Sequence, residues 1–420
     1  MAVRFPSGWL EELRSRADIV SVVSEHVTLK QNGRRYWGLC PFHTEKTPSF
    51  SVSADQQLFY CFGCKAGGDV IHFVMETERM EFNEAVRHLA ERVRMPLPEQ
   101  MDRVDDLAQR NVRQTIQEMN RKAALFYHET LWKPEGKAAL EYLYRRGLDD
   151  PTIRRFGLGA TPPGWDGLMR YLQSEGYSPD QMAQAGLITR RDNGGFDMFR
   201  QRAMFPILNA QGAVLAFGGR AMGDVQPKYL NSPDTPVFNK RQGVYAVNLL
   251  RKARDLKRIV LVEGYMDVVS LVSKGVVGVV ATLGTALTQE QARLMTRYAK
   301  EIHLAYDGDE AGQKAIERAL DLLEPLGVAV RVLVFPDGLD PDDFIRRDGA
   351  EAFQALKPIS APAFRMQRIA KGMDLSSEEG RAQYAIACAA VIRKVREPVE
   401  AEDLLKRLMV DTGYSREVLV

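Results

Sequence analysis

The sequence predicts an α/β protein: a parallel-sheet core within a mixed α+β region, a small metal-stapled domain before it and a helical segment after it. Three observations carry this. Four short apolar, β-branched runs, RIVLVEG, VVGVVATLG, EIHLAYDGD and VAVRVLVFPDG, alternate with helical patterns, as βαβ units do. Three of the four cysteines lie within 25 residues of one another, beside a histidine. The last 60 residues read as helix throughout.

In order along the chain, GWLEELRSRADIVSVVSEHV opens as an amphipathic helix. Alternation in PSFSVS and QLFYCF then predicts short strands, and FNEAVRHLAERV predicts a helix. The prolines and mixed charge of MPLPEQMDRVDD mark a linker. These signals give a first domain over 1–100 and a linker over 101–112. From about 110 to 180 the pattern is helical, interrupted by PPGW, and FRQRAMFPILNAQGAVLAFGGR reads as two strands around a turn. A basic α+β subdomain is therefore expected over 113–250, the parallel sheet over 251–357 and a helical subdomain over 358–420. No internal repeat is visible.

A hydrophobic share of 45% and a charged share of 27% are ordinary for a soluble globular chain. No apolar run is long enough to span a membrane, and the first residues are amphipathic, unlike a secretion signal. A cytoplasmic protein without membrane contact is the expectation. The net charge of +2 hides an uneven distribution. Residues 181–260 hold 13 Lys and Arg against 5 Asp and Glu, whereas residues 261–360 hold 10 against 16. A basic block beside an acidic one suits a polyanion surface flanking a cation site.

Cys40, His43, Cys61 and Cys64 form two pairs of ligands, each with two residues inside, and this spacing suits one tetrahedral, structural zinc. Cys388, in AIACAA, reads as helix core. Near the zinc ligands Arg34, Arg35, Tyr36, Trp37, Phe59 and Tyr60 combine charge with aromatic faces, as single-stranded nucleic acid requires. For Trp37 and Phe59, burial in the small domain's core is the equal alternative.

Carboxylates also cluster where the predicted parallel strands end. Glu263 closes RIVLVEG, Asp307 and Asp309 close EIHLAYDGD, and Asp340 and Asp342 follow RVLVFPDG. Like charges this close repel unless a cation lies between them, and oxygen-rich sites suit Mg²⁺ or Mn²⁺. Two such ions serve phosphoryl displacement. Asp267, one helical turn beyond Glu263, can face the same rim. The bland alternative is a set of solvated loop acids. His26, His72, His88, His128 and His303 lack partners at ligand spacing.

VEGYMDV with DGDEAG resembles the toprim fold shared by bacterial primases, topoisomerases and some nucleases. PKYLNSP, FGGR, RRGL and the Cys-His-Cys-Cys ribbon extend the resemblance, over nearly the whole chain, to bacterial DNA primases of the DnaG type. That resemblance implies an enzyme making short RNA primers on a single-stranded DNA template from ribonucleoside triphosphates. It implies Glu263, Asp307 and Asp309 as central metal-binding acids, with Asp267, Asp340 and Asp342 as further ones. Whether Glu263 is a ligand or an acid–base group stays open. It also implies a basic ridge of Arg146, Arg220, Lys228, Tyr229 and Lys240 for template and nucleotide. Because the chain stops at YSREVLV, the family's helicase-binding domain is expected to be absent. The rival readings are a toprim nuclease or topoisomerase, and a non-enzymatic zinc-ribbon binding protein.

Overall fold

Short strands, among them FSVS and LFYC, build the first sheet. The computed structural model describes residues 5–78, 80–98, 104–191, 194–224, 226–253 and 256–419, and the chain divides into two compact units, Met1–Val112 and Arg113–Val420. In the first unit β1 (Lys30–Asn32), β2 (Arg35–Gly38), β3 (Phe50–Ser53), β4 (Leu58–Cys61) and β5 (Gly67–Gly68) form an antiparallel sheet in chain order. Along β4, exposed Leu58 and Tyr60 alternate with buried Phe59 and Cys61, so one face of the sheet is apolar core. Phe50, Phe59 and Phe73 pack there with Leu13 and Leu89 from flanking helices. Phe59 is therefore core, at 3% exposure.

The stretch expected as a linker over 101–112 is helical from Val104, in a helix that runs to Leu131; residues 101–103 lie outside the described residues. The physical reason is composition. The prolines stop at Pro98, and nothing from Val104 to Leu131 is Pro or Gly, so no helix breaker interrupts that run.

The second unit holds an antiparallel sheet and a mostly parallel one. Its antiparallel strands are β6 (Gly159–Ala160), the separate hairpin β7 (Ile188–Arg191) with β8 (Gly194–Asp197), then β9 (Arg202–Leu208), β10 (Val214–Ala221) and β11 (Tyr229–Asn231). The sheet order is β11–β10–β9–β6. The β9–β10 turn is built by Asn209, whose Oδ1 accepts from the N–H groups of Gln211 and Ala213.

The other sheet comprises β12 (Ile259–Val262), β13 (Val279–Ala281), β14 (Glu301–Leu304), β15 (Ala329–Val332) and β16 (Ile359–Ser360), ordered β13–β12–β14–β15–β16, with only β16 antiparallel. Both faces are covered. Val260 and Val262 enter one core with Val268 and Val269, while Ile259 and Leu261 enter another with Ile316 and Leu320. This explains why β12 reads as a continuous apolar run rather than an alternating one. The chain lays β13 on one side of β12 and returns to lay β14 on the other. The crevice between the ends of β12 and β14 is thus the topological switch point, where such sheets bind ligands.

After β16 the helices Ala361–Lys371, Glu378–Ile392 and Pro398–Thr412 close around Tyr384, Cys388, Leu404 and Leu408. Cys388 is fully buried there. No helix is long and apolar enough to cross a membrane among the described residues.

Candidate functional site

At the switch point Glu263 follows β12 directly, and Asp307 follows β14 after Ala305 and Tyr306. Burial, and then the charge of Asp307, push the Glu263 carboxyl up to about 7, with Asp309 adding to the effect. Its Oε1 is buried with no hydrogen-bond partner. Burial and the charges of Asp340 and Asp309 raise Asp307 to about 6, while Lys228 opposes them. Asp267, nearly buried, is held well above the usual carboxylate range by burial and then by Asp340, Asp307 and Asp342. Its Oδ2 accepts from the Gly264 N–H at 3.0 Å.

Two rim acids also serve as helix caps. Asp309 accepts from the Gly312 N–H at 2.7 Å, and Asp340 from the Asp343 N–H at 2.6 Å. The helices Tyr265–Ser273, Glu310–Leu323 and Pro341–Ala355 all begin at this rim, so their positive ends face the acids. The glycine of DGDEAG is required by close approach: a Cβ on Gly312 would lie 2.2 Å from the Asp307 carbonyl oxygen.

The carboxylates of Asp340, Asp342 and Asp343 lie within 4.8 Å of one another. Asp343 escaped the sequence analysis, although the doubled acid in DPDDF was its signal. Asp342 departs from the expectation of an open rim ligand. It is completely buried, accepts from Ser270 Oγ, pairs with Arg146 and lies 3.6 Å from Arg346 Nε. Two guanidiniums thus face its charge, one distant in sequence and one a helical turn on, although burial still holds its carboxyl above the usual range.

Of the expected basic ridge, the structure gathers Arg146, Arg220 and Tyr229 around Tyr142. The Arg220 guanidinium lies over the Tyr142 ring at 4.1 Å and donates to the Ala221 carbonyl at 2.7 Å. Arg220 on β10 is the cross-strand partner of Tyr229 on β11. Burial raises the Tyr142 hydroxyl, against the charges of Arg220 and Arg146, and Tyr229 hydrogen-bonds to it. Tyr142 was missed by sequence reasoning, though its place one helical turn before Arg146 was visible. Lys228 is exposed and bears on Asp307. Lys240 joins this group through no contact among the described residues. Its backbone is held instead, the N–H donating to Asp234 and the carbonyl accepting from buried Gln291.

In the first unit the donor atoms of Cys40, His43, Cys61 and Cys64 all lie within 4.8 Å of one another. Cys40 Sγ is 3.8 Å from Cys64 Sγ, and Cys61 Sγ is 3.8 Å from His43 Nδ1. A tetrahedron with zinc–sulfur bonds of about 2.3 Å has edges of about 3.8 Å, so the donor set fits zinc. Without a cation, burial pushes the Cys40 thiol up to about 12. Glu45, not anticipated from the sequence, stitches the site together. Its carboxylate accepts from the Cys40 N–H at 2.7 Å and the Ser49 N–H at 3.1 Å, takes the Ser49 hydroxyl, and lies 3.3 Å from His43 Nε2.

The other ribbon candidates divide. Arg34 and Arg35 are exposed, and Tyr36 packs against the core. Trp37 is half-buried and stacks on Phe62 at 5.8 Å, while Tyr60 meets Phe62 edge-on at 5.0 Å. Phe62, 48% exposed, was also missed; it sits between Cys61 and Cys64 in CFGC.

Comparison with known proteins gives this geometry its family. Residues 5–105 match the CHC2 zinc finger, 126–251 the N-terminal domain of the DNA primase catalytic core, and 260–345 a Toprim-like domain. The DNA primase of Clostridium acetobutylicum is 39% identical over 98% of this chain and 68% of its own length. The chain belongs to the DNA primase family. The primase of Halalkalibacterium halodurans is 41% identical over all of this chain and 71% of its own length. The Pseudomonas aeruginosa primase is 42% identical, and the chain spans 64% of it. Among solved structures, the zinc-binding and RNA polymerase domains of Aquifex aeolicus primase superpose with a TM-score of 0.58 at 32% identity, covering 98% of both chains. The RNA polymerase domain of Mycobacterium tuberculosis primase, in complex with double-stranded DNA, gives 0.66 at 31% identity, over 72% of this chain and 99% of that one.

One expectation is overturned. Residues 362–409 match the DnaB-helicase binding domain of primase, so a helicase-binding segment is present. It covers most of the helices Ala361–Lys371, Glu378–Ile392 and Pro398–Thr412. Their packing positions are filled by common apolar residues such as Leu404 and Leu408, so periodicity says helix core and nothing more, and the comparison alone supplies the helicase-binding match.

Proposed function

We propose that this primase makes RNA primers at the rim formed by Glu263, Asp307 and Asp309, with single-stranded DNA as template and ribonucleoside triphosphates as substrates. The observation that carries the reading is the buried, unpartnered Oε1 of Glu263 among acids that raise one another's proton affinity. Such a group is costly unless a cation or proton satisfies it. Glu263, Asp307, Asp309 and Asp340 would hold Mg²⁺ or Mn²⁺, and oxygen ligands suit these ions. Bound there, the metal supplies activation of a 3′-hydroxyl and neutralisation of the leaving pyrophosphate.

The chain's own residues do the rest. Lys228, exposed beside the rim, attracts the triphosphate or the template phosphates as they approach Asp307. Arg146 and Arg220, fixed against Tyr142 and Asp342, form a preorganised cationic wall that costs little to order. Lys240 extends the basic surface along its exposed loop. Asp342 and Asp267 act mainly by position, the first holding Arg146 and the second capping the helix that follows Glu263. In the ribbon, Cys40, His43, Cys61 and Cys64 hold zinc, and Trp37 with Phe62 offers a stacking face beside Arg34 and Arg35 for single-stranded DNA. Residues 362–409 contact the replicative helicase.

The test is a reaction containing ribonucleoside triphosphates, a single-stranded template and Mg²⁺ or Mn²⁺, with products sized on a gel. Short RNA products that depend on metal and template support the proposal. Template cleavage or relaxation without RNA products would mean a nuclease or topoisomerase.

A further inference from the structure

A cavity of about 330 Å³ opens in the second unit, and none of its lining residues belongs to the rim or the ribbon. Phe156, Pro206, Leu208, Val214 and Leu249 give it an apolar floor, with Leu125 at the lip. Three guanidiniums, Arg121, Arg154 and Arg155, line the same opening, and no carboxylate does. Arg154 lies over Trp132 at 4.1 Å, and none of the three makes an ion pair among the described residues. Both His128 ring nitrogens are engaged, one with the Leu158 carbonyl at 2.7 Å and the other with the Trp132 indole N–H at 3.2 Å. Tyr245, a further lining residue, carries a buried hydroxyl with no hydrogen-bond partner.

Guanidiniums bind oxyanions through paired, planar donors, and a concave apolar floor of this size suits a small molecule rather than an extended polymer. We infer that the cavity is a binding site for a small amphipathic anion, an apolar body carrying one carboxylate, sulfonate or phosphate head. The apolar body occupies the floor against Phe156 and Leu208, and the head lies at the lip between Arg121 and Arg155. This site is separate from the rim at which nucleotides react.

The probe is anilinonaphthalene sulfonate, an aromatic body with one anionic head, titrated into the full chain with fluorescence and equilibrium dialysis. One saturable site per chain is expected. The double variant Arg121→Glu, Arg155→Glu should weaken it about tenfold or more, since hydrogen bonds to charged groups carry energies of that order. Both positions are exposed, and an unchanged melting temperature verifies that the variant is folded. The neutral parent, phenylnaphthylamine, should bind about tenfold more weakly. Equal affinity in the charge-reversed variant, or equal affinity of the neutral parent, overturns the inference. So does loss of the site in Trp37→Ala, which would assign the probe to the ribbon's aromatic face. Sedimentation gives the last arm: probe binding that falls as a dimer forms would make a second copy of the chain the occupant and reject the small-anion site.

Discussion

Arg146 and Asp342 form an ion pair whose acid is completely buried, joining the end of the helix Lys137–Arg145 to the start of Pro341–Ala355. Asp342 also takes the hydroxyl of Ser270 on the helix Tyr265–Ser273, so the pair fixes the cationic wall to the helix that follows Glu263. Removing one partner of such a pair leaves an uncompensated charge. Arg146→Ala should therefore destabilise the protein by about 3 kcal/mol, less whatever Arg346 recovers, whereas Arg146→Ala with Asp342→Asn should recover part of the loss. Denaturant titrations of the two singles and the double measure the coupling, and strictly additive losses would contradict it.

The rim makes metal-free stability depend on pH. Folded Glu263 and Asp307 titrate at about 7 and about 6, above their ordinary values of 4.5 and 3.8. Between about pH 4 and pH 7 the folded chain thus holds protons that the unfolded chain has released. Stability falls as pH rises through that window and stays low above it. Thermal melts of the zinc-loaded protein without added Mg²⁺ or Mn²⁺ should be lower at about pH 8 than at about pH 5, Mg²⁺ should restore part of the difference, and Glu263→Gln should make the fall shallower. A fall of the same size in Glu263→Gln would detach Glu263 from the effect.

Glu45 orients two zinc ligands without being one. Partners of this kind, when replaced, typically cost 10- to 100-fold in metal affinity. Glu45→Gln should weaken zinc about tenfold in a chelator competition, while Cys61→Ser with Cys64→Ser should abolish stoichiometric binding and unfold the first unit. Full zinc retention in the double variant would mean that the ligands are others.

Lys228 and Lys240, alike in sequence, differ in placement. Lys228 acts on Asp307, so Lys228→Ala should raise the nucleotide concentration needed for half-maximal synthesis. Lys240→Ala should instead weaken template binding without regard to sequence, flattening the dependence of log affinity on log salt by about one unit or slightly less. Kinetic and salt titrations of both variants separate the roles. Matching phenotypes would contradict the division.

What the sequence revealed follows from how local its signals are. The four runs from RIVLVEG to VAVRVLVFPDG announced the parallel sheet because a doubly covered strand must be apolar on both faces. The ribbon ligands were legible because their spacing is itself local. Tyr142 and Phe62 were not, since each matters through a partner distant in sequence, Arg220 and Trp37; Asp343 and Glu45 lie within five residues of their partners, and their local signals were passed over. Asp342 makes the same point from the other side: its acid was visible, but not the arginine, distant in sequence, that pairs with it. The helix at Val104 was obscured by its neighbours, the prolines just before it.

The central claim is that Glu263 and its companions at the switch point assemble the polymerising centre. Its most direct test compares wild type with Glu263→Gln in metal-dependent primer synthesis on single-stranded DNA, alongside template affinity. Glu263→Gln removes a charge and keeps the shape, so RNA products should disappear while template binding and fold persist. Full synthesis by Glu263→Gln would contradict the assignment.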